Sequence, residues 1–338
     1  MPALLPHRVY VLVACLAAVL SFGASAQAKT TLRFGTLAPR NSTWGRVFDA
    51  FRRAMEQKSS GAVELRIFYN GILGSEASMA GKLRSGQIDG ATLSVLGLAH
   101  FDQRVMVMTL PWLVNSWEKV DRVRADLAPQ FEAELEKKGV DVLGWGDIGL
   151  IYGFTRGHAV RLPSDLRGHT PMVLRGEPVG AAFFENIPGV RPIPAEPMDV
   201  LNLLRSRRVD TISAPALVAE QLQWIPYLDH VSGQPLACAI GASVVRKATM
   251  DSLPPDVRTL FLDLSKKVGR TQSKRIRQLD LEAYERIKRR MTVVTVTDAE
   301  RKEWQKIVTL VLKRLGSGVY PRPMMDRVAE LTGHKIEW

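Results

Sequence analysis

A strand–helix–strand pattern near the N-terminal end most constrains the fold. The alternating segment TTLRFGTLA precedes a helix that Asn41 or Ser42 can cap, and AVELRIFY reads as the next strand. A second helix, capped by Ser75 and ended by Gly86, leads into the strand QIDGATLSV. Connections this short between successive strands predict a mostly parallel sheet flanked by helices.

The same pattern returns in the second half of the chain. TPMVLRGEPVGAAFFENI predicts a strand and a helix, VRPIPA a short strand, and EPMDVLNLLRSRRVDTISAP a helix and a strand. The segment KLRSGQIDGATLS is echoed by LLRSRRVDTISAP, which places Asp210 where the first half has Asp89. We therefore expect an α/β fold of two similar lobes, each a mostly parallel sheet flanked by helices.

Two long extended segments, VDVLGWGDIGLIYGFTRG and HVSGQPLACAIGASVVRK, can cross between the lobes and act as the hinge. They predict a first lobe of residues 27–147 and 236–290 and a second lobe of residues 148–235. Residues 291–338 are expected to form a helical region that packs on both lobes, while a long C-terminal helix helps to join them. Because ligands of open α/β sheets lie outside the carboxyl ends of the strands, the site is expected in a cleft between the lobes.

The N-terminus has the features of an export signal. His7 and Arg8 precede the apolar run VYVLVACLAAVLSF, and GASAQA supplies small residues for cleavage after Ala26. The run is too short to span a bilayer, and no later segment is long and apolar enough. We expect a free periplasmic protein; lipidation at Cys15 is the alternative. Cys238 would then be the only cysteine, so no intrachain disulfide is expected.

The net charge of +12 invites a nucleic-acid hypothesis, but no basic motif interleaved with aromatic residues is present. Much of the excess lies in KKVGRTQSKRIRQLDLEAYERIKRRM, where an apolar stripe includes Val268, Ile276 and Ile287. This spacing predicts a long surface helix. A docking face for an acidic partner or a membrane surface is the alternative interpretation.

Motifs for catalysis are scarce. The histidines show no metal-ligand spacing, and neither a nucleophile elbow nor a phosphate-binding or dinucleotide-binding loop is present, so we expect no metal and no cofactor. Glu76 and Asp147 could form a carboxylate pair in the cleft, although hydrogen bonding or latching of the hinge is the more ordinary role. Binding is therefore a better hypothesis than catalysis.

Several segments resemble one family in the expected order. GILGSEASMAGKLRSGQID, LPWLV, LPSDLRGHTPMV and VLNLLRSRRVDTISAP are similar to motifs of the extracytoplasmic solute-binding proteins of tripartite ATP-independent periplasmic (TRAP) transporters. The likeness runs from about Thr31 to beyond Leu253. It implies a two-lobed receptor that closes on a small molecule and delivers it to a membrane permease driven by an ion gradient.

The sequence departs from this family at three positions that would hold a ligand carboxylate. The resemblance places Ile151 and Met172 where two arginines are expected, and Ala214 where an asparagine is expected. None of these side chains can replace the water around a carboxylate, whose desolvation costs several kcal/mol. We therefore expect a ligand that is hydrophobic or amphipathic, with the soft thioether of Met172 against its apolar part.

Three alternatives stay open. Arg175 could take over the anion and make the protein an organic-acid receptor. The same fold could present its ligand to a signalling partner, or it could be an enzyme that acts in the cleft. The ligand-binding residues predicted from the sequence are Trp44, Glu76, Ser94, Trp145, Asp147, Ile151, Met172, Leu174, Arg175, Ala214 and Pro215.

Overall fold

The computed structural model describes residues 29–338, so the predicted signal peptide and Cys15 lie outside the described residues. The first unit alternates strands and helices as the sequence predicts. Its elements are β1 (Thr30–Gly35), α1 (Thr43–Lys58), β2 (Val63–Phe68), α2 (Glu76–Ser85) and β3 (Gly90–Ser94). The hydroxyls of Ser42 and Ser75 cap the two helices, and Gly86 ends α2 with a φ of 75°.

The crossing strand β4 (Val140–Thr155) connects the two halves. Its first part pairs antiparallel with β9 (Ala237–Arg246), and its last part pairs antiparallel with β7 (Thr211–Pro215). Ile151 lies where these two pairings meet, opposite both Ala237 and Pro215. One strand therefore belongs to both halves of the sheet, as expected of a hinge.

The strand pairs that involve neither β4 nor β9 are parallel. In the first half β1 lies between β2 and β3. The second half contains β5 (Met172–Leu174), which pairs parallel with β6 (Ile193–Ala195), and an isolated parallel bridge joins Pro171 to Thr211. The strand order of the large sheet is β10-β8-β4-β9-β3-β1-β2, where β8 is His230–Ser232 and β10 is Thr292–Val294, and β7 pairs with the other part of β4.

Most of the remaining elements are helices. Helices in the middle of the chain are α3 (Val95–Leu98), α4 (Trp117–Lys137), α5 (Pro178–Glu185), α6 (Val200–Arg205) and α7 (Ala216–Gln221). The C-terminal part adds β8 (His230–Ser232), α8 (Lys247–Ser252), α9 (Pro255–Lys288), β10 (Thr292–Val294), α10 (Asp298–Gly316) and α11 (Arg322–Leu331). Short 3-10 helices occupy Gln103–Thr109, Pro163–Leu166 and Ile225–Tyr227.

The basic segment forms the later part of α9, which is the long helix that its apolar stripe predicts. Phe261 and Leu264, near the start of α9, are buried in the same core as β1 and β2. Ile276 and Ile287, further along, are buried in the core of the second half. The helix is therefore shared by both halves, and most of its charges are exposed, whereas Asp280 is buried.

The similarity between the segments KLRSGQIDGATLS and LLRSRRVDTISAP has a structural reason. Asp89, just before β3, accepts a hydrogen bond of 2.8 Å from the backbone N–H of Arg33. Asp210, just before β7, accepts one of 3.1 Å from the backbone N–H of Thr170. In each half an aspartate thus joins the start of one strand to its parallel neighbour.

The C-terminal helices contact both halves. The α10 helix packs on α5. The α11 helix packs on α4 and on the 3-10 helix Gln103–Thr109. Among the described residues, no helix is long and apolar enough to cross a bilayer. The division into residues 27–147 with 236–290, residues 148–235, and residues 291–338 stays a prediction.

Candidate functional site

A cavity of about 380 Å³, here called the near chamber, lies between the two halves. First-half elements contribute residues around Thr36, Trp44 and Ser94, and the second half contributes the ends of β5 and β7. All eleven residues that the sequence predicts for the ligand site line this chamber. Their contact with a ligand stays a prediction.

The three departures from the family pattern form an apolar surface in the near chamber. Met172 begins β5 and is 7% exposed, and Ala214 on β7 is 3% exposed. Ile151 lies on β4, next to the pairing of Tyr152 with Ala214. An anion placed here would lose its water without gaining a donor from these side chains.

The Glu76 carboxylate at the start of α2 is engaged by Ser94. It accepts bonds of 2.7 Å from the backbone N–H and 2.5 Å from the hydroxyl of that residue. Burial raises the pKa of the Glu76 carboxyl, while the bonds from Ser94 oppose the rise. The carboxylate therefore positions the end of β3 against α2.

Asp147 does not act with Glu76 as an acid–base pair. Its side chain is 0% exposed and forms ion pairs of 2.8 Å with Arg124 and 2.6 Å with Arg277. These partners lie on α4 and α9, so the carboxylate fastens β4 to two helices. Of the roles considered, latching of the hinge region fits these contacts.

Arg175 lies at the rim of the near chamber, just after β5. Its side chain is 62% exposed, and Nε lies 3.6 Å from a carboxylate oxygen of Glu196. Nη2 also donates a bond of 3.4 Å to the carbonyl of Pro194. The guanidinium is thus a rim cation with one loose acidic neighbour, and it does not occupy the place of Met172.

Two tryptophans line the chamber in different ways. The indole Nε1 of Trp145 donates to Glu132 at 2.8 Å, which turns the polar edge of the ring toward α4. The Nε1 atom of Trp44 is buried and has no hydrogen-bond partner among the described residues. Trp44 therefore keeps an unused donor at the edge of the site.

Sequence reasoning missed other residues of the chamber. Gln221, at the end of α7, exchanges hydrogen bonds of 3.1 and 2.8 Å with Thr43, at the start of α1. Met198 and Glu196 also line the chamber, and Glu196 lies beside Arg175. No local motif marks these positions; only the approach of the two halves brings them to the cleft.

Asp280 of α9 forms a second latch near the chamber. It accepts bonds from the backbone N–H groups of Leu150, at 2.8 Å, and Leu217, at 2.9 Å. It therefore holds β4 and the start of α7 together. Burial raises the pKa of the Asp280 carboxyl to about 6, against the opposing effect of these backbone bonds.

This pKa predicts a pH effect on stability. The folded-state pKa exceeds the ordinary value of 3.8, so the contribution of Asp280 is fully present below that value and is lost as pH rises to about 6. We expect the free energy of unfolding of wild type, relative to Asp280→Asn, to fall by roughly 2 kcal/mol between pH 4 and pH 7. Urea unfolding of both proteins at several pH values measures this difference. A wild type that gains on the variant as pH rises would show that the backbone bonds outweigh burial.

Two histidines that are distant in sequence stack outside the near chamber. The ring centroids of His158 and His169 are 3.5 Å apart, and His169 Nδ1 lies 2.9 Å from Asp210. The Nδ1 atom of His158 lies 2.9 Å from the carbonyl of Arg156. Burial lowers the pKa of His158, and the neighbouring His169 lowers it further. This cluster joins the loop after β4 to the segments before β5 and β7.

The comparisons with known proteins agree with this architecture. The family model described as bacterial extracellular solute-binding protein, family 7 (DctP), matches residues 34–317. The 2,3-diketo-L-gulonate-binding periplasmic protein YiaO of Escherichia coli strain K12 is 24% identical over 299 residues, which cover 85% of this chain and 87% of that protein.

Solved structures share the fold. A TRAP periplasmic solute-binding protein of Ralstonia eutropha H16, with bound (S)-2-acetolactate, matches with a TM-score of 0.82 and 19% identity, covering 90% of this chain and 99% of that one. Another from Shewanella oneidensis, with bound succinate, matches with a TM-score of 0.79 and 21% identity, covering 90% of this chain and 100% of that one. The matched family and these neighbours are solute-binding receptors and not enzymes. The chain therefore belongs to bacterial extracellular solute-binding family 7, and it is a TRAP-type extracytoplasmic solute-binding protein.

Proposed function

We propose that this receptor captures an amphipathic organic acid in the periplasm and delivers it to the membrane subunits of a TRAP permease. The apolar part of the ligand lies against Ile151 and Met172, and the carboxylate lies near the rim, beside Arg175. The observation that carries this proposal is the apolar side of the near chamber at the positions where the family resemblance predicts arginine and asparagine.

The expected binding free energies favour apolar contact as the main source of affinity. Burying about 300 Å² of apolar ligand surface contributes roughly 7 kcal/mol before ordering costs, at about 25 cal/mol per Å². An exposed ion pair contributes only about 0.2 to 1 kcal/mol. The side chain of Arg175 is 62% exposed, so an ion pair with Arg175 is expected to contribute only this small amount.

The bound ligands of the solved neighbours support the acid group. Acetolactate and succinate both carry carboxylates. In this chain a small diacid would place at least one carboxylate away from Arg175 and against apolar side chains. A monocarboxylate with an apolar body satisfies both the rim cation and the chamber.

Octanoate and succinate are suitable probes for calorimetric titration. We expect wild type to bind octanoate with micromolar-class affinity and succinate at least about tenfold more weakly, because one more carboxylate must be desolvated. Arg175→Gln should weaken octanoate binding only about two- to fivefold, as expected of an exposed pair. Native mass spectrometry of the purified receptor should also detect a co-purified molecule with an apolar body.

The charge-matched control is Arg208→Gln, which removes an exposed arginine that does not line the chamber. It should leave both titrations unchanged. Tight succinate binding that Arg175→Gln abolishes would instead establish the alternative, an organic-acid receptor that uses Arg175 as its anion anchor. Failure of wild type to bind octanoate would overturn the proposal.

A further inference from the structure

A second cavity, of about 500 Å³, adjoins the near chamber and is here called the far chamber. The residues that line both cavities are Ser94, Leu96, Ile151, Met172, Leu174, Ser213 and Ala239. The two spaces therefore meet at a mainly apolar junction, with two serines, that includes two of the three positions where the family resemblance predicts a different residue. Larger cationic side chains at these two positions would narrow that junction.

The far chamber has an aromatic wall built from three parts of the chain. Trp112 follows the first 3-10 helix, Phe183 lies on α5 and Trp304 lies on α10. The ring of Phe183 lies 5.3 Å from that of Trp112 and 5.9 Å from that of Trp304, centroid to centroid. Such a wall favours contact with an apolar chain or ring.

The backbone of Trp112, which belongs to this wall, is strained. Trp112 has a φ of 64°, a conformation that costs a non-glycine residue roughly 1 to 2 kcal/mol. Its backbone N–H donates a bond of 2.7 Å to the carbonyl of Leu236, another lining residue, which fixes the backbone at this position. The strained position therefore directs a large aromatic group to the far chamber.

The charged groups of the far chamber are already engaged. Glu177 caps α5 through bonds of 2.7 Å from Val179 and 2.6 Å from Gly180. Arg301 is 40% exposed and donates to Gln234 at 2.8 Å, while His230 is paired with Asp229. The interior consequently suits the uncharged end of a ligand better than an anion.

We infer that the ligand is an elongated amphipathic monocarboxylate that occupies both chambers. Its carboxylate lies by Arg175, its body passes Ile151 and Met172, and its apolar end lies among Trp112, Phe183 and Trp304. This inference rests on the proposed function and adds the length of the ligand to it.

Two glycines of β4 allow each chamber to be filled separately. A Cβ atom at Gly146, which lines the near chamber, would have no atom within 4 Å other than those of its two chain neighbours. A Cβ atom at Gly153, which lines the far chamber, would meet Leu236 at 3.5 Å, an ordinary contact. Gly146→Leu and Gly153→Leu are thus matched fillers on one strand.

The test titrates wild type and both variants with butanoate, octanoate and dodecanoate below their micellar concentrations. In wild type, affinity should increase about three- to fourfold for each added methylene up to dodecanoate. Gly153→Leu should bind butanoate as wild type does and should lose the gain from the longer chains. Gly146→Leu should weaken binding of all three.

The other outcomes separate the two proposals. If affinity stops increasing at octanoate and Gly153→Leu has no effect, the ligand fills only the near chamber; the inference fails and the proposed function stands. If Gly153→Leu weakens butanoate as much as dodecanoate while Gly153→Ala binds normally, the ligand does not span the chambers in the stated direction, and the inference is overturned. If no alkanoate binds to wild type, the proposed function fails as well.

Discussion

Asp147→Asn is expected to lower the free energy of unfolding by about 3 kcal/mol. The substitution keeps the size of the side chain and removes the charge that pairs with Arg124 and Arg277. Breaking a buried ion pair by removing one partner costs about 3 to 5 kcal/mol, because the remaining charge is left uncompensated. We expect the lower end of this range because Asp121 also contacts both arginines.

Asp121→Asn is the matched control for this prediction. Asp121 contacts the same two arginines, but its side chain is 53% exposed. Its loss should therefore cost no more than about 1 kcal/mol. Urea unfolding monitored by circular dichroism measures both variants. Equal losses for the two aspartates would show that burial of Asp147 does not determine the strength of this latch.

Local patterns predicted the parts of the fold that local chemistry determines. Ser42 and Ser75 cap helices where the sequence places them, and Gly86 ends a helix with positive φ. The crossing strand was also predictable, because an uninterrupted extended segment as long as VDVLGWGDIGLIYGFT is too long for one lobe alone. Its pairing with β7 and β9 fulfils that expectation.

The partners of individual side chains could not be predicted in this way. Asp147 reaches Arg277 across 130 positions of sequence, and that contact, rather than the type of residue, excludes it from a free carboxylate pair. The polar edge of Trp145 turns toward Glu132 because α4 packs beside β4. Neither contact leaves a periodic signal in the sequence.

The far chamber was missed for a related reason. Its wall combines Trp112, Phe183 and Trp304, each of which looks like an ordinary core residue in its own segment. These three residues line one cavity only because α5 and α10 approach the segment that follows the first 3-10 helix. The near chamber was easier to predict from the sequence because the family resemblance identified Ile151, Met172 and Ala214 as a set.

Met172→Arg is expected to weaken octanoate binding by about tenfold or more, which corresponds to about 1.4 kcal/mol. The substitution removes the thioether that is proposed to contact the apolar part of the ligand, and it puts a charge into a position that is 7% exposed. The same guanidinium could form a charge-assisted pair with a carboxylate, which contributes about 1.5 to 3 kcal/mol. We therefore expect succinate binding to increase by about tenfold.

Two controls separate the position of the charge from its presence. Met172→Leu keeps an apolar side chain of similar volume and should retain octanoate binding to within about threefold. Met198→Arg adds the same charge at the rim, where Met198 is 51% exposed, and should change octanoate binding little.

Calorimetric titration of wild type and Met172→Arg with octanoate and succinate tests the central claim most directly. If apolar contact at Met172 holds the ligand, wild type prefers octanoate and the arginine variant shifts this preference toward succinate. A wild type that prefers succinate, together with an arginine variant whose octanoate affinity is unchanged, would contradict the claim.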